Sequence, residues 1–526
     1  MSTCDASCVP TTLHTHVLLA QLRRDADFLV PLVVDETGGF HGQLRDDGTN
    51  YDPDLKHVVT TARFIFVFAT LAALLDSTDV VAGSAHRAKV VHGLRFLLDV
   101  HIRRGTEYAH GRSISWTLRR AADGSFAVED GSQYMYAVAF VLLALSTALT
   151  CFDLDDTGER SALDLEVRAE LDAMWAFAEA RFFDAEHRLY CDQFESSTHH
   201  LPKPYRGQNA NMHTCEAFLA AWSATGEEKY IKRSYEIARR ITVDLAIGGE
   251  SGDGGTATPD IWEHFDETWA PDFEYNKEEP KGSEEYMFRP WGLQPGHFWE
   301  WSKLLVQLDT ALAAAEARGV AIFAEGYPDV EGESAAWLLP RARDLYWRAV
   351  EVSVITFCFV LTFGSFRFQF FPPVANFCLV VLYLSLRDLL KFGWNQAGCD
   401  GAPGAAYIVH PTDARVLDSD RFYWVHNEML AASGLLMCAM AKEARASRRG
   451  QNVEAFYNEC WAFCQTYLVD QERGGWKPMY EVVDGVHLER VKQPFGLDAD
   501  GEGGAERACV KMWPSKVCFY LPLHFK

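Results

Sequence analysis

Three segments of the sequence place a histidine or a tryptophan, followed by a glutamate, at the start of an apolar run. The segments are NANMHTCEA (209–217), WGLQPGHFWEWSKLL (291–305) and RFYWVHNEMLA (421–431), and the pairs are His213 with Glu216, His297 with Glu300, and Trp424 with Glu428. Residues three or four apart share one face of a helix. Each pair is therefore expected to project together from the beginning of a helix.

These residue types suit one kind of chemistry. Histidine titrates near neutral pH and moves protons to and from carbon or hydroxyl groups. Arg63 is a lone guanidinium in the apolar stretch KHVVTTARFIFVFA, and Glu300 and Glu428 lie among tryptophans and long apolar neighbours. Carboxylates are rarely buried without a partner, so convergence of these helix ends on one pocket explains them together. Aromatic walls with carboxylates and an arginine predict a sugar-binding site with acid–base histidines.

Each segment taken alone also has a simpler interpretation. Asn209 or Asn211 would serve as the N-cap of a helix, and His213 would be a hydrogen-bonded core histidine. The sequence contains no P-loop, no GxGxxG and no HExxH pattern, and His-x-x-Glu alone is a weak metal signal. We therefore expect neither a metal nor another cofactor.

Composition excludes some functions. The chain has 526 residues, is 48% hydrophobic and carries 73 acidic against 49 basic residues, for a net charge of −24. Nucleic-acid binding normally needs a basic surface, so it is not expected. The 13 cysteines include no CxxC pair, which favours free thiols in a reducing compartment. With no signal-peptide pattern at the N-terminus, we expect a cytoplasmic protein, and the sequence leaves open whether it forms a homo-oligomer.

The positioning elements are predicted to be helices. Apolar residues recur at helical spacing in paired segments, and no alternating run is long enough to indicate a major sheet. The pairs are 56–76 with 85–102, 133–149 with 162–182, and 422–444 with 451–468, and Gly226 is a natural stop between two further helices. The pattern predicts an all-α protein of repeated helical hairpins.

Two stretches depart from this pattern. The polar segment 244–290 is long for a loop, which favours either a lid or pocket wall or a surface excursion.

Residues 352–386 carry one charge, Arg367, and the 19 residues 368–386 have none, which nominally meets the length of a membrane span. Pro372-Pro373 would break such a helix. We consider a membrane anchor, a buried hairpin or a foreign insertion such as translated intron sequence, and favour the insertion.

Five motifs, in order, resemble the N-acylglucosamine 2-epimerase family, and most closely its aldose–ketose isomerase branch. They are YRGQNANMHTCEA (205–217), EHFDETW (263–269), RPWGLQPGHFWEW (289–301), FYWVHNEMLAA (422–432) and KMWPSK (511–516). The resemblance implies an (α/α)6 barrel, a toroid of six helical hairpins, as a single catalytic domain over residues 12–516. The atypical insertion at 352–391 and the atypical tail 517–526 would interrupt and follow that domain.

The resemblance also implies a reaction and residue roles. The reaction is metal-free isomerisation of an aldose through a cis-enediolate, with a monosaccharide as the substrate. By motif match, His297 would be catalytic with support from Glu300, and His213 and Glu216 would bind or ring-open the sugar. Arg63 would bind hydroxyls and steady the enediolate, where a fixed cation stabilises developing negative charge. Asn209, Trp424 and Glu428 would complete the binding site.

The sequence departs from the family at two places. Val59 stands one turn before Arg63, where relatives usually have tryptophan. Relatives also follow the C-terminal tryptophan motif with a Tyr-His pair that supplies a second catalytic histidine. Here MWPSK is followed by VCFYLPLHFK, and His524 is not at the matching place.

Several alternatives remain open from the sequence. One is 2-epimerisation of an N-acyl or unmodified sugar by the same proton chemistry. Another is a glycoside hydrolase on the same scaffold, with Glu300 and Glu428 as acid and base. The others are an inactive sugar-binding protein lacking the second histidine and a membrane-tethered protein.

Overall fold

A computed structural model describes most of the chain. The described residues are 12–42, 44, 48–75, 79–152, 161–194, 204–248, 260–281, 283–320, 334–363, 404–441, 452–472, 475–477, 479–483 and 487–490. The proposed insertion at 352–391 falls mostly outside this set, as do the apolar stretch 368–386, the motif at 511–516 and the tail.

The described chain is built from helices, which confirms the all-α prediction. They are α1 (Thr12–Val33), α2 (Val58–Leu75), α3 (Val80–Phe96), α4 (Met135–Ala148), α5 (Ala162–Arg181), α6 (Gln208–Thr225), α7 (Glu228–Arg239), α8 (Glu284–Phe288), α9 (Pro295–Ala317), α10 (Leu338–Phe363), α11 (Tyr423–Ala439) and α12 (Val453–Phe463). Short π-helical or 3-10 turns extend several of these helices, as at Leu97–His101 after α3 and Cys464–Leu468 after α12.

The helices form two layers. An inner series packs in the order α2, α4, α6, α9 and α11, and each inner helix also packs against the outer helix that follows it in the sequence. The outer partners are α3, α5, α7, α10 and α12. The described residues thus contain five α-hairpins preceded by the helix α1, the two-layer arrangement of an (α/α) barrel.

Helix α2 shows how an inner helix can be apolar on nearly all sides. Sixteen of its side chains are buried, from Val58 to Leu75, because neighbours cover it on several faces. A helix surrounded by others has no solvent face and needs no polar stripe. Among the described helices, α2 alone is long and apolar enough to cross a membrane, and 89% of it is buried inside the protein.

Short antiparallel strands join the helices. They are β1 (Leu55–His57), β2 (Ile102–Arg104), β3 (Arg112–Ile114), β4 (Thr117–Arg120), β5 (Phe126–Asp130), β6 (Gln133–Tyr134), β7 (Phe183–Asp184), β8 (Leu189–Tyr190), β9 (Gln193–Phe194), β10 (Arg206–Gly207), β11 (His264–Phe265), β12 (Ile408–Val409), β13 (Val416–Asp418), β14 (Arg421–Phe422), β15 (Met479–Val483) and β16 (His487–Arg490). The sheets are β1-β4-β5, β14-β15-β16, β2-β3, β6-β9, β7-β8, β10-β11 and β12-β13. Several of these strands end directly at the start of an inner helix, and so they fix where that helix begins.

The predicted loop 244–290 is partly structured. It contributes β11 and α8, and Trp262 is fully buried with its indole nitrogen donating to the Asp272 carbonyl at 3.1 Å. Part of this segment, including Trp262, is therefore buried in the protein rather than extended from it.

Asp25 on α1 gives the fold a pH dependence. Its fully buried carboxylate accepts hydrogen bonds from Gln21, from the Gly475 backbone N–H and from the Trp476 indole, at 2.7 to 3.1 Å. Burial raises the pKa of Asp25 to about 6, although these hydrogen bonds oppose the shift. The native state therefore holds this proton more tightly than the unfolded chain does.

We expect the ionisation of Asp25 to lower the free energy of unfolding by roughly 3 kcal/mol as pH rises from about 3.8 to about 6. Above this interval Asp25 is ionised in both states, so its contribution no longer changes with pH. Urea unfolding of the wild type and of Asp25→Asn between pH 4 and 7 measures it. The stability difference between the two proteins should change over this interval in favour of Asp25→Asn as pH rises. A constant difference would contradict the prediction.

Candidate active site

The predicted site residues lie on four inner helices, near the helix starts. Arg63 is on α2, His213 and Glu216 are on α6, His297 and Glu300 are on α9, and Trp424 and Glu428 are on α11. The structure brings them into two adjoining clusters, one around His297 and one around His213.

Helix α9 begins in a way that fixes His297. Pro295 is the first helical residue, where its missing N–H costs nothing. His297 consequently lies in the first turn, with 6% of its surface exposed.

The ring of His297 is held by a carboxylate. Its Nδ1 lies 2.9 and 3.0 Å from the two oxygens of Glu263, and 3.0 Å from the amide nitrogen of Gln208. That amide nitrogen also donates to Glu263 Oε2 at 2.8 Å, while Gln208 Oε1 accepts from the Trp301 indole at 2.7 Å.

These contacts determine the histidine tautomer. An indole N–H only donates, so Trp301 fixes the orientation of the Gln208 amide, with its nitrogen toward Glu263. A carboxylate only accepts, so the two Glu263 oxygens at 2.9 and 3.0 Å favour a proton on Nδ1 of His297, and this ionic contact outweighs the opposite preference of the Gln208 amide nitrogen at 3.0 Å. In the neutral ring, Nε2 then has a lone pair, and each polar contact of His297 with the described residues is made by Nδ1. Nε2 is therefore available as a general base.

Strand pairing brings Glu263 to this position. β10 and β11 pair Gly207 with His264 and Arg206 with Phe265, and the Gln208 N–H donates to the Glu263 carbonyl at 3.2 Å. The loop that carries Glu263 is thus attached at the first residue of α6.

Trp424 forms a wall beside the histidine. Its ring centroid lies 5.4 Å from that of His297. A Cβ atom at Gly296 would come within 2.4 Å of the Trp424 ring. Glycine at this position is therefore what allows the indole to approach α9 so closely.

Other buried histidines have a different environment. His101, His264 and His426 each have both ring nitrogens in hydrogen bonds with protein groups. Burial lowers their pKa values to about 3, 4 and 3, respectively. They are structural histidines, which sets His297 apart.

The second cluster is centred on a buried lysine. His213 Nδ1 lies 3.1 Å from Glu216 and 3.7 Å from Glu300. Lys303 Nζ lies 3.0 Å from Glu428, 3.4 Å from Glu216 and 3.6 Å from Glu300. Three carboxylates from three inner helices thus meet at one ammonium group.

Arg63 borders the His213 cluster. Its guanidinium carbon is 4.0 Å from the centroid of the Phe140 ring, and Nη2 donates to the Tyr136 hydroxyl at 3.3 Å. The rings of Tyr136 and Phe140 also contact His213, at centroid distances of 5.1 and 4.9 Å. The predicted convergence of Arg63 and His213 is present in the structure.

The asparagines do not cap α6, so that prediction is wrong. The N-cap residue is Gly207, and no side chain caps the helix. Asn211 instead joins α6 to β8, because its amide bonds to the backbone N–H and carbonyl of Tyr190. Asn209 is half-buried, and its Oδ1 makes no hydrogen bond with any described residue. The predicted stop at Gly226 is confirmed by its left-handed conformation at the end of α6.

Sequence reasoning missed three members of the site. Glu263 and Gln208 lie inside motifs that the resemblance uses, but no helical spacing relates them to His297. Lys303 did give a signal, since a charge three residues after Glu300 in an apolar helix requires buried partners.

The carboxylate cluster has the spacing of a metal site. His213, Glu216 and Glu300 offer ligand atoms within 4.8 Å of one another. Lys303 already places a positive charge 3.4 and 3.6 Å from the two carboxylates. A metal-free reaction stays a prediction. Its physical basis is that Lys303 already supplies positive charge beside these carboxylates.

Fold and site together define a class, the all-α barrels whose inner helices carry histidine and glutamate side chains near their starts. The chain belongs to the N-acylglucosamine 2-epimerase (GlcNAc 2-epimerase) family, whose sequence model matches residues 38–354 and 386–493. The resemblance inferred from the motifs is thereby confirmed. The match omits residues 355–385, which lie within the proposed insertion, and the assignment of 352–391 as foreign sequence stays a prediction.

Relatives and solved structures agree with this family. The chain is 29% identical over 481 residues to a D-mannose isomerase of Marinomonas mediterranea, covering 91% of this chain and 92% of that one. A crystal structure of a D-mannose isomerase has a TM-score of 0.64 at 27% identity, with 93% and 95% of the two chains covered. Cellobiose 2-epimerase from Bacillus thermoamylovorans B4167 shares the fold, with a TM-score of 0.61 at 14% identity and 97% and 98% coverage.

Proposed function

We propose that this protein is a sugar isomerase that interconverts an aldose and a ketose of the mannose–fructose type. The observation that carries the proposal is His297, whose Nδ1 is held by Glu263 while Nε2 is left for proton transfer. The D-mannose isomerase relatives support the substrate class.

The reaction follows from this geometry. Nε2 of His297 removes the proton from C2 of the open-chain aldose, and the electron pair of that C–H bond forms the C1–C2 double bond. The C1 carbonyl π electrons move to O1, which gives a cis-enediolate. Return of a proton to C1 and transfer of the O2 proton to O1 complete the ketose, without gain or loss of electrons.

The neighbouring groups have distinct roles in this proposal. Glu263 stabilises the imidazolium that forms when His297 takes the proton, as a carboxylate does in other acid–base sites. The Arg63 guanidinium, buried beside Phe140, faces the developing negative charge. His213 and Glu216 handle hydroxyl protons and ring opening, and Asn209 and Trp424 bind the sugar.

The structure favours this proposal over a glycoside hydrolase. That alternative needs Glu300 and Glu428 as an acid and a base on either side of a glycosidic bond. Both side chains are fully buried, and both lie within 3.6 Å of the Lys303 ammonium group. An ammonium partner keeps a carboxylate ionised, which opposes the role of general acid.

Proton NMR in deuterated water tests the function directly. We would incubate the purified chain with mannose, fructose, glucose and N-acetylmannosamine, with and without EDTA. The proposal predicts conversion of mannose to fructose, deuterium at C1 of fructose, and no loss of rate with EDTA. A His297→Asn protein is the matched control, since asparagine keeps polarity but provides no base.

The other outcomes decide against the proposal. Deuterium only at C2 of an aldose would identify a 2-epimerase. Sugar binding with no exchange would identify an inactive sugar-binding protein. Hydrolysis of a glycoside that survives His297→Asn and is lost in Glu300→Gln would identify a hydrolase.

A further inference from the structure

Lys303 is an unusual residue for its position in the barrel. It lies in the middle of the inner helix α9, and its side chain has no exposed surface. Among the described residues, Lys56 is the other buried lysine, and that residue pairs with one carboxylate, Asp35. Lys303 lies within 3.6 Å of three carboxylates, those of Glu216, Glu300 and Glu428.

The site residues fall into two layers, an upper tier that is slightly exposed to solvent and a lower tier that is fully buried. The upper tier has between 4% and 11% of its surface exposed to solvent and consists of Arg63, His213, His297 and Glu216. Below them lie Glu300, Lys303 and Glu428, whose side chains are 0–1% exposed. Glu216 belongs to the upper tier but contacts the lower one through Lys303. Lys303 therefore reaches a substrate only through another residue.

A cation is needed for this arrangement to exist. Carboxylates that are close together and buried tend to take up protons, since burial and mutual repulsion both disfavour ionisation. Burial would raise the pKa of Glu216, but Lys303 and His213 outweigh that effect and lower it to about 2. Burial disfavours the charge of Lys303 as well, yet the three carboxylates raise its pKa above the ordinary lysine range.

We propose that Lys303 is a positioning residue for the isomerisation, acting as a resident cation that fixes Glu216 against His213. Its ammonium also joins α6, α9 and α11 at one point, because each of these helices supplies one of the carboxylates. This inference rests on the proposed function. It assigns to a protein side chain the organising task that a metal ion has in sites built from glutamates and a histidine.

Lys303→Met tests the proposal by removing the charge while keeping an unbranched side chain. We expect kcat to fall about 10²-fold, the loss that small misplacement of a reacting group causes, with KM changed several-fold at most. We also expect the acid limb of the kcat profile to move to higher pH, because Glu216 would lose its main cationic partner. Lys303→Arg, which keeps the charge, should recover part of kcat and return the acid limb toward its original position.

Lys56→Met is the matched control, since it makes the same change at the other buried lysine. It should lower stability and leave the pH profile of kcat in place. A folded Lys303→Met protein with unchanged kcat and an unchanged acid limb would overturn the proposal. If Lys303→Met does not fold, the double variant Lys303→Met/Glu428→Gln removes both members of the closest pair and carries the same predictions.

A second measurement does not depend on activity. In the wild type, the low pKa of Glu216 contributes stability that is present above about pH 4.5 and is lost as pH falls toward 2. The stability difference between wild type and Lys303→Met, from urea unfolding, should therefore shrink as pH falls from about 5 toward 2. It should shrink less in a Glu216→Gln background. Equal shrinkage in both backgrounds would overturn the proposal, whereas an inactive wild type would overturn only the function.

Discussion

Replacing His297 with asparagine is expected to lower kcat for mannose–fructose interconversion by about 10³-fold, within the range for losing a general base. The reason is the fixed tautomer. Nδ1 donates to Glu263 at 2.9 Å, so Nε2 is the one nitrogen of the ring that is free to accept the C2 proton. Asparagine keeps a polar side chain at this position but has no nitrogen that can accept a proton. Initial rates and deuterium exchange at C1 measure the effect.

Glu263→Gln tests whether the carboxylate sets the tautomer of His297, because it leaves the histidine in place and changes only its partner. An amide nitrogen facing Nδ1 would favour the opposite tautomer, with the proton on Nε2, and the imidazolium would lose its counter-charge. We expect kcat to fall substantially in this variant, with the sugar still bound. Should Glu263→Gln retain full kcat while His297→Asn is inactive, the carboxylate would not be orienting the base.

Replacing Arg63 with methionine is expected to lower kcat by about 10² to 10³-fold, the typical cost of removing one preorganised donor to a developing oxyanion. Arg63 is 8% exposed, and its guanidinium carbon packs 4.0 Å from the Phe140 ring centroid. Its position is therefore fixed before the substrate arrives, and no reorganisation is needed as charge develops. KM should rise less than kcat falls, since the charge to be stabilised exists chiefly after C2 deprotonation.

Two variants separate this effect from packing. Arg63→Lys keeps the charge but not the planar shape, so it should recover only part of the rate. Arg233→Met removes a buried arginine from the outer helix α7, where it pairs with Glu236 and Glu179. It should lower stability without changing kcat. Equal losses of kcat in Arg63→Met and Arg233→Met would mean that the rate reports folding alone.

The helices and much of the site were predictable from the sequence for a physical reason. Amphipathic and fully apolar helical runs are local patterns, and they can be recognised without any knowledge of the fold. Pairs such as His213 with Glu216 share a face through helix geometry alone. The predicted roles of these residues remain predictions, but their convergence follows from inner helices that all begin at one end of the barrel.

The parts that could not be predicted depend on contacts between distant segments. Glu263 reaches His297 through the pairing of β10 with β11, which are strands of two residues each. Strands this short leave no alternating pattern to read. Asn211 resembled a helix cap, yet it lies inside α6 and bonds to the Tyr190 backbone. Competition between a local cap and a distant backbone partner is decided by the fold, not by the local sequence.

The pairing of β10 with β11 has a consequence for protein engineering. The four residues that form the ladder set where Glu263 lies relative to His297, and the segment after β11 lies outside that ladder. Loops taken from relatives with other substrate preferences could therefore be grafted between Asp266 and Arg289, provided that both strands are kept. In such chimaeras, the contact between Glu263 and His297 would be inherited from the scaffold, because neither residue lies in the graft.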